Sequence, residues 1–192
     1  MAEKTDEKQS DIIVHLNEVR LSFPQLFKAK AFGQGEPTFS AVFLLDPKIK
    51  AHKAKIEEIM EHLERLAKDR LKLKNIKGIR VPLREPNLKS YDGWEDMYSF
   101  HAGSRMRPTV INRRKELLAE EDDVIYGGCY VNATASLWVQ NNDYGRAINS
   151  DLRGVQFVRD GERFSARRPV DLDEEFEDLG EDEEIDADAL LR

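Results

Sequence analysis

Apolar and polar residues alternate along much of this chain, and a single segment carries a helical period instead. Ile12–Leu16 and Val19–Phe23 read as strand, with Pro24 expected to end it. Lys28–Pro37 contains Gly33, Gly35 and Pro37 and reads as a loop. Thr38–Leu45 predicts a second strand with Phe39, Ala41, Phe43 and Leu45 on one face. Asp46-Pro47 then predicts a helix start, Asp as N-cap and Pro at the first helical position. Ile49, Ile56, Ile59, Met60, Leu63 and Leu66 form the stripe that such a helix would bury. Glu61 with Arg65 and Glu64 with Lys68 are spaced for pairing on its solvated side, and it should fade near Lys74.

Past Gly78 the period returns to two. Ile79–Arg84 predicts a short edge strand, because Pro82 has no N–H for a ladder. Met97–Ala102 and Met106–Asn112 are strand candidates on either side of Gly103-Ser104. Glu116–Asp123 fits a short helical turn, Gly127–Gln140 the longest strand, Asn141–Gly145 a turn and Gly154–Val158 a further strand. Asp160-Gly161 has the composition of a two-residue hairpin turn. Short strands around one helix predict a β-rich α+β fold closed as a small five-stranded Greek-key barrel, with one long helix and extra loops and hairpin.

The strand Cys129–Gln140 points toward a function. Cys129, Val131, Ala133, Ala135, Leu137 and Val139 suit a narrow barrel interior. Tyr130, Asn132, Thr134, Ser136, Trp138 and Gln140 share the other face. Tyr130 and Trp138 would lie about 26 Å apart on an extended strand. Aromatics set into a polar sheet face can stack unpaired bases at roughly 1–3 kcal/mol each. Tyr91, Trp94, Tyr98 and Phe100 form a second aromatic group.

Charge changes the picture only once it is partitioned. The 192 residues carry a formal net charge of −7. Residues 171–192 hold twelve acids and one base, residues 1–11 four acids and two bases, and residues 12–170 a net of +6. Three regions are expected: a disordered head 1–11, a DNA-binding domain 12–170 and a disordered acidic tail 171–192. Arg105, Arg107, Arg113, Arg114 and Lys115 cluster near one strand, Lys28 and Lys30 lie in the first long loop, and Arg80, Arg84 and Lys89 follow the helix. Such charges neutralise phosphates and release counterions. The tail can imitate a polyanion in the same groove, or dock a partner through its sparse Phe176, Leu179, Ile185, Leu190 and Leu191.

Other classes find less support. There is no apolar run of membrane-spanning length, no secretory h-region, and only one cysteine, so a reducing cytoplasm is expected, with no membrane partner. Nucleotide-loop, zincin and paired-cysteine motifs are missing, so no enzyme and no cofactor or metal is expected. Asp92, Glu95, Asp96 and His101 could hold a metal in a nuclease, and a DNA-mimicking inhibitor could work through the tail; these are the two rival functions.

Phe23-Pro-Gln-Leu-Phe27, Phe39–Leu45, Arg105–Asn112, Tyr126–Ala133 and Leu152–Arg163 resemble the bacteriophage single-stranded DNA-binding proteins of the DUF2815 family, over roughly residues 19–164. The resemblance implies an OB-fold, binding of single-stranded DNA without sequence preference, and a role in phage DNA replication, recombination or repair in the bacterial host cytoplasm. Phage proteins of similar role carry acidic tails, and replication or recombination proteins are the partners such a tail implies; self-association through an edge strand such as Ile79–Arg84 is open. This chain ends Leu190-Leu191-Arg192, so docking through a terminal aromatic is not expected. The expected DNA contacts are Tyr130 and Trp138 for stacking, Arg105, Arg107, Arg113 and Lys28 for phosphates, and Tyr91 and Trp94 as further aromatics.

Overall fold

The computed structural model describes residues 12–31, 33–87, 91 and 93–164; the expectations for the head 1–11 and the tail 171–192 lie outside them. In chain order the elements are β1 (Ile12–Lys30), β2 (Thr38–Leu45), α1 (Lys50–Arg70), β3 (Leu83–Arg84), β4 (Tyr98–Ser104), β5 (Thr109–Ile111), β6 (Tyr130–Asn142) and β7 (Gly145–Arg159). The strands lie in the order β3-β4-β2-β1-β6-β7-β5, and a further parallel pairing of β4 with β7 at Gly103 and Asp151 closes the ring. β4, β2, β1, β6 and β7 are therefore a closed five-stranded barrel, with β3 and β5 appended. The expected Greek-key barrel, an OB-like fold, is the observed one.

The barrel is filled as its alternation requires. Cys129, just before β6, and Val131, Ala133, Ala135 and Leu137 from β6 meet Ala41, Phe43 and Leu45 from β2 and Phe100 and Ala102 from β4 in one buried cluster. α1 packs against β1, β2 and β7 and adds Ile56, Ile59, Leu63 and Ala67 to that cluster.

The helix begins later than expected. Asp46 is not its N-cap: its Oδ1 accepts the Lys48 N–H (2.8 Å), and its carbonyl accepts that of Ile49 (3.0 Å). These bonds make a separate turn, which buried His52 braces by accepting the Asp46 N–H at its Nδ1 (3.1 Å). Ile49 then occupies the N-cap position and is exposed, so it leaves the buried stripe. The helix also ends early, at Arg70, because Lys72 adopts φ +56° and turns the chain back so that the Leu73 N–H reaches the Ala67 carbonyl (3.0 Å).

Two strands outrun their sequence signals. β1 continues through Pro24, because a bulge there takes the residue that cannot donate: Ser22 pairs Val42 and Gln25 pairs Ser40, leaving Phe23 and Pro24 opposite one residue of β2. A second bulge lies between Leu16 and Val19, where the unpaired Glu18 N–H donates to Asn132 Oδ1 (2.9 Å). β6 is accordingly not the longest strand. β7 starts at Gly145, directly after a tight turn at Asp143-Tyr144, and runs 15 residues.

Asp160-Gly161 does not form the expected hairpin. Residues 160–164 cross instead over Gly127-Gly128. The Tyr126 hydroxyl donates to Asp160 (2.9 Å), and the Phe164 N–H donates to the Gly127 carbonyl (3.0 Å). A Cβ on Gly128, at φ +112°, would overlap the Glu162 carbonyl. Gly128→Ala should therefore lower stability by about 2–4 kcal/mol, from backbone overlap plus a left-handed conformation. Gly33→Ala, at φ +62° with nothing within 4 Å, should cost about 1–2 kcal/mol. Urea unfolding of the two variants measures the difference.

Candidate nucleic-acid interface

Outward residues of neighbouring strands line up in rows across the barrel. Ser22 on β1 pairs Val42 on β2, which pairs His101 on β4. Trp94 lies over this row: its indole N–H donates to Ser22 Oγ (3.3 Å), and its ring centroid is 6.5 Å from that of His101. Phe23 and Tyr91 extend the cover, with centroid separations of 4.8 Å for Phe23–Tyr91, 5.8 Å for Phe23–Trp94 and 5.1 Å for Tyr91–Trp94. The next row, Gln25–Ser40–Gly103–Asp151, is open.

That open row is part of a groove of about 1140 Å³ across the outer face of β2 and β4. Small residues of both strands line it, the polar Thr38, Ser40 and Ser104 together with Ala41, Ala102 and Gly103. Phe23 and Tyr91 reach it from one side and Trp138 from the other. Trp138 is 39% exposed and is oriented by its indole N–H, which donates to Asp151 Oδ1 (2.9 Å). Segment 80–84 bridges β4 and β7: the His101 N–H donates to the Pro82 carbonyl and the Ile148 N–H to the Arg80 carbonyl, both at 2.9 Å. It brings Arg80 and Arg84 to the groove, where, among the described residues, Lys30 and Arg105 are the other bases and Asp151 the single carboxylate. Arg80 is held by Asn149 Oδ1 (3.0 Å), and Asn149 donates in turn to Gln140 (3.3 Å).

The eight residues expected to contact DNA are not all brought together. Trp138, Arg105 and Tyr91 line the groove, and Trp94 packs beside it against Phe23 and Tyr91. Arg105 also pairs with Glu36 (2.8 Å) at the exposed rim. Tyr130 lies elsewhere: the Arg159 guanidinium sits 3.5 Å above its ring centroid, and Arg159 is itself held by Glu18 (2.9 Å). Lys28 is paired with Glu120 at 2.7 Å, which raises its pKa. Arg107 lies 5.6 Å from the Phe27 ring, and Arg113 is exposed beyond β5; neither lines the groove. Phe23 was missed because Pro24 signals an end rather than a bulge. Tyr144, 93% exposed at the tip of the β6–β7 arm, lies outside the groove lining.

Among the described residues the nuclease constellation is not assembled. Asp92 lies outside the described residues. Glu95 accepts the Gly93 N–H (3.1 Å), and Asp96 pairs with Lys48 (3.2 Å). His101 faces Ser99 Oγ (3.1 Å) and is kept neutral, its pKa lowered to about 4 by burial and by the neighbouring Arg84. Among the described residues no group of three or more His, Cys, Asp or Glu is placed to hold a metal ion. Cys129 is buried, and burial pushes its thiol pKa up, which suits packing rather than nucleophilic chemistry.

A five-stranded barrel with a groove across its second and third strands is the arrangement by which OB-folds take up oligonucleotides or oligosaccharides. The family model described as the ssDNA-binding protein of Enterobacter phage Enc34 matches residues 12–189, and the chain belongs to that family. It is 36% identical over 184 residues to protein p50 of Acyrthosiphon pisum secondary endosymbiont phage 1, covering 90% of this chain and 97% of that one. The single-stranded DNA-binding protein of bacteriophage Enc34, solved in complex with ssDNA, superposes with a TM-score of 0.72 at 28% identity, over 80% of this chain and 89% of that one. The single-stranded DNA-binding protein gp2.5 of bacteriophage T7 shares the fold, with a TM-score of 0.53 at 16% identity over 91% of this chain and 100% of that one.

The environment of His101 has a measurable consequence. The unfolded chain takes up a proton on this imidazole near pH 6.5, the folded chain only near pH 4. Between those values the unfolded state binds more protons, so this group removes stability as pH falls from 6.5 to 4 and adds no further loss below. An NMR titration of the His101 ring should show a midpoint near 4, and Arg84→Ala should move it upward.

Proposed function

We propose that this chain binds single-stranded DNA without sequence preference in the groove across β2 and β4. The observation that carries the reading is the composition of that groove: aromatics on both sides, small residues between them and, among the described residues, four bases against one carboxylate. Bases stack on Trp138 and against the Phe23–Tyr91 edge, while Lys30, Arg80, Arg84 and Arg105 meet phosphates. No base-specific fork is required, since every base has a π-face. The binding serves phage DNA replication, recombination or repair in the host cytoplasm. The solved complex of the Enc34 protein with ssDNA supports the single-strand binding.

The acidic tail competes for the same groove in this reading, and it can recruit replication or recombination proteins when displaced. Its support is geometric. Phe164 packs against Gly93, beside Tyr91 and Trp94 at the groove rim, and the acidic stretch begins after six further residues, at most about 25 Å of chain. The twelve carboxylates of residues 171–192 complement the four bases in charge.

Titration with a labelled oligonucleotide tests both parts. Trp138→Ala should weaken binding by about 5- to 150-fold, the worth of one stacked base, and Trp138→Phe should keep most of the affinity. Tyr130→Ala should lower thermal stability while leaving affinity within about twofold, because its ring carries Arg159 rather than a base. Full affinity in Trp138→Ala would refute the stacking assignment. A chain ending at Val170 should bind more tightly at low salt and show a steeper salt dependence than the full chain; equal slopes would remove the tail from the mechanism.

A further inference from the structure

Between the end of α1 and the groove the chain reads Lys68-Asp-Arg-Leu-Lys-Leu-Lys-Asn-Ile-Lys-Gly-Ile-Arg80, six bases against one acid. The apolar members of this stretch all turn inward. Leu71 belongs to the buried core, and Leu73, Ile76 and Ile79 pack against it. Lys68, Arg70, Lys72, Lys74, Lys77 and Arg80 are all exposed. The backbone is pinned as well: the Leu73 N–H donates to the Ala67 carbonyl (3.0 Å), that of Lys77 to Asn75 Oδ1 (3.0 Å), and that of Ile79 to the Ile76 carbonyl (3.4 Å). These cations are therefore displayed from an anchored surface rather than from a free loop. Among the described residues none of the six forms an ion pair with a carboxylate. The last of them, Arg80, is already part of the groove wall, fixed there by Asn149.

We propose that the stretch 68–80 is a phosphate track that continues the groove, so that a single strand leaving past Arg80 runs on over Lys77 and Lys74 toward the C-terminal end of α1. This rests on the groove being the single-strand site. The track has no aromatic residue, so it contributes charge without stacking. It therefore adds affinity only for strands longer than the groove, and that added affinity is lost with salt. A single OB-fold covers about 4–16 nucleotides, which leaves room for a groove segment and an overhang on one barrel.

The test compares oligonucleotides of about 5 and about 20 nucleotides, chosen to fill the groove alone or to overrun it. The double variant Lys74→Gln/Lys77→Gln removes two cations that have no packing role. On the long strand the slope of log affinity against log salt should become shallower by about 1.4, the value for two phosphate contacts on a single strand. On the short strand both affinity and slope should match the unchanged protein. Lys74→Glu/Lys77→Glu should enlarge the long-strand loss in the same direction. An unchanged long-strand slope makes the stretch an ordinary solvated surface. Equal losses on both lengths place the charges in the general field of the groove, and loss confined to duplex DNA assigns the patch to another ligand. Each of these results overturns the track. Failure of the groove itself would appear differently, as short-strand binding that is absent or indifferent to Trp138→Ala.

Discussion

Everything in this molecule depends on bending one strand far enough to close a barrel. β1 must pair β2 along one edge and β6 along the other while the ring comes round to join β4 to β7. A regular 19-residue strand could not turn that far, so β1 carries two bulges, each with a residue forced to positive φ: Glu18 at +52° and Phe23 at +45°. A left-handed residue costs about 1–2 kcal/mol. Both costs are offset locally. Asn132 takes the stranded Glu18 N–H, and the Phe23 ring packs edge-on against Tyr91 and Trp94. The bulge at Phe23-Pro24 also turns Phe23 onto the outer face, so the device that closes the barrel builds one side of the groove.

Charge is organised by the same architecture. A groove that is to hold a polyanion needs cations at its edges and no competing charge on its floor. Lys30 and Arg105 lie near the Thr38 end of β2, and Arg80 and Arg84 come from the segment between β4 and β7. His101, on the floor strand, is kept uncharged by burial and by Arg84. The carboxylate that remains, Asp151, is occupied in orienting Trp138. The net charge of −7 describes none of this, because it averages a basic body with an acidic terminus.

The barrel was legible in the sequence because alternation at period two reports which side of a strand is inside. The inward set of β6 and the whole of β2 followed from it. Strand ends were less legible, because a proline or a polar pair marks an end only if no bulge absorbs it. Pro24 sits in such a bulge, and Asp160-Gly161 makes no hairpin because the Tyr126 hydroxyl bonds its side chain and backbone while the Gly127 carbonyl holds the Phe164 N–H beyond it. Those partners are more than 30 positions away in sequence, so local turn chemistry carried no sign of them.

Tyr130 and Trp138 show where reading of the site reached its limit. They lie on one strand, on one face, among polar neighbours. What separates them is the element across the strand. Opposite Tyr130 is Arg159, whose guanidinium covers the ring, while Arg20 reaches past it to the Glu162 carbonyl and lies 4.2 Å from the Phe164 ring centroid. Opposite Trp138 is Asn149, a short side chain already engaged with Arg80 and Gln140, which leaves the indole face open. Tyr130 thus serves the site indirectly. It anchors the arginine stack under residues 160–164, which in turn carry Phe164 to Gly93 and the aromatic rim. One alternating pattern supplied two aromatics, and cross-strand partners made one a covered ring and left the other open to the groove.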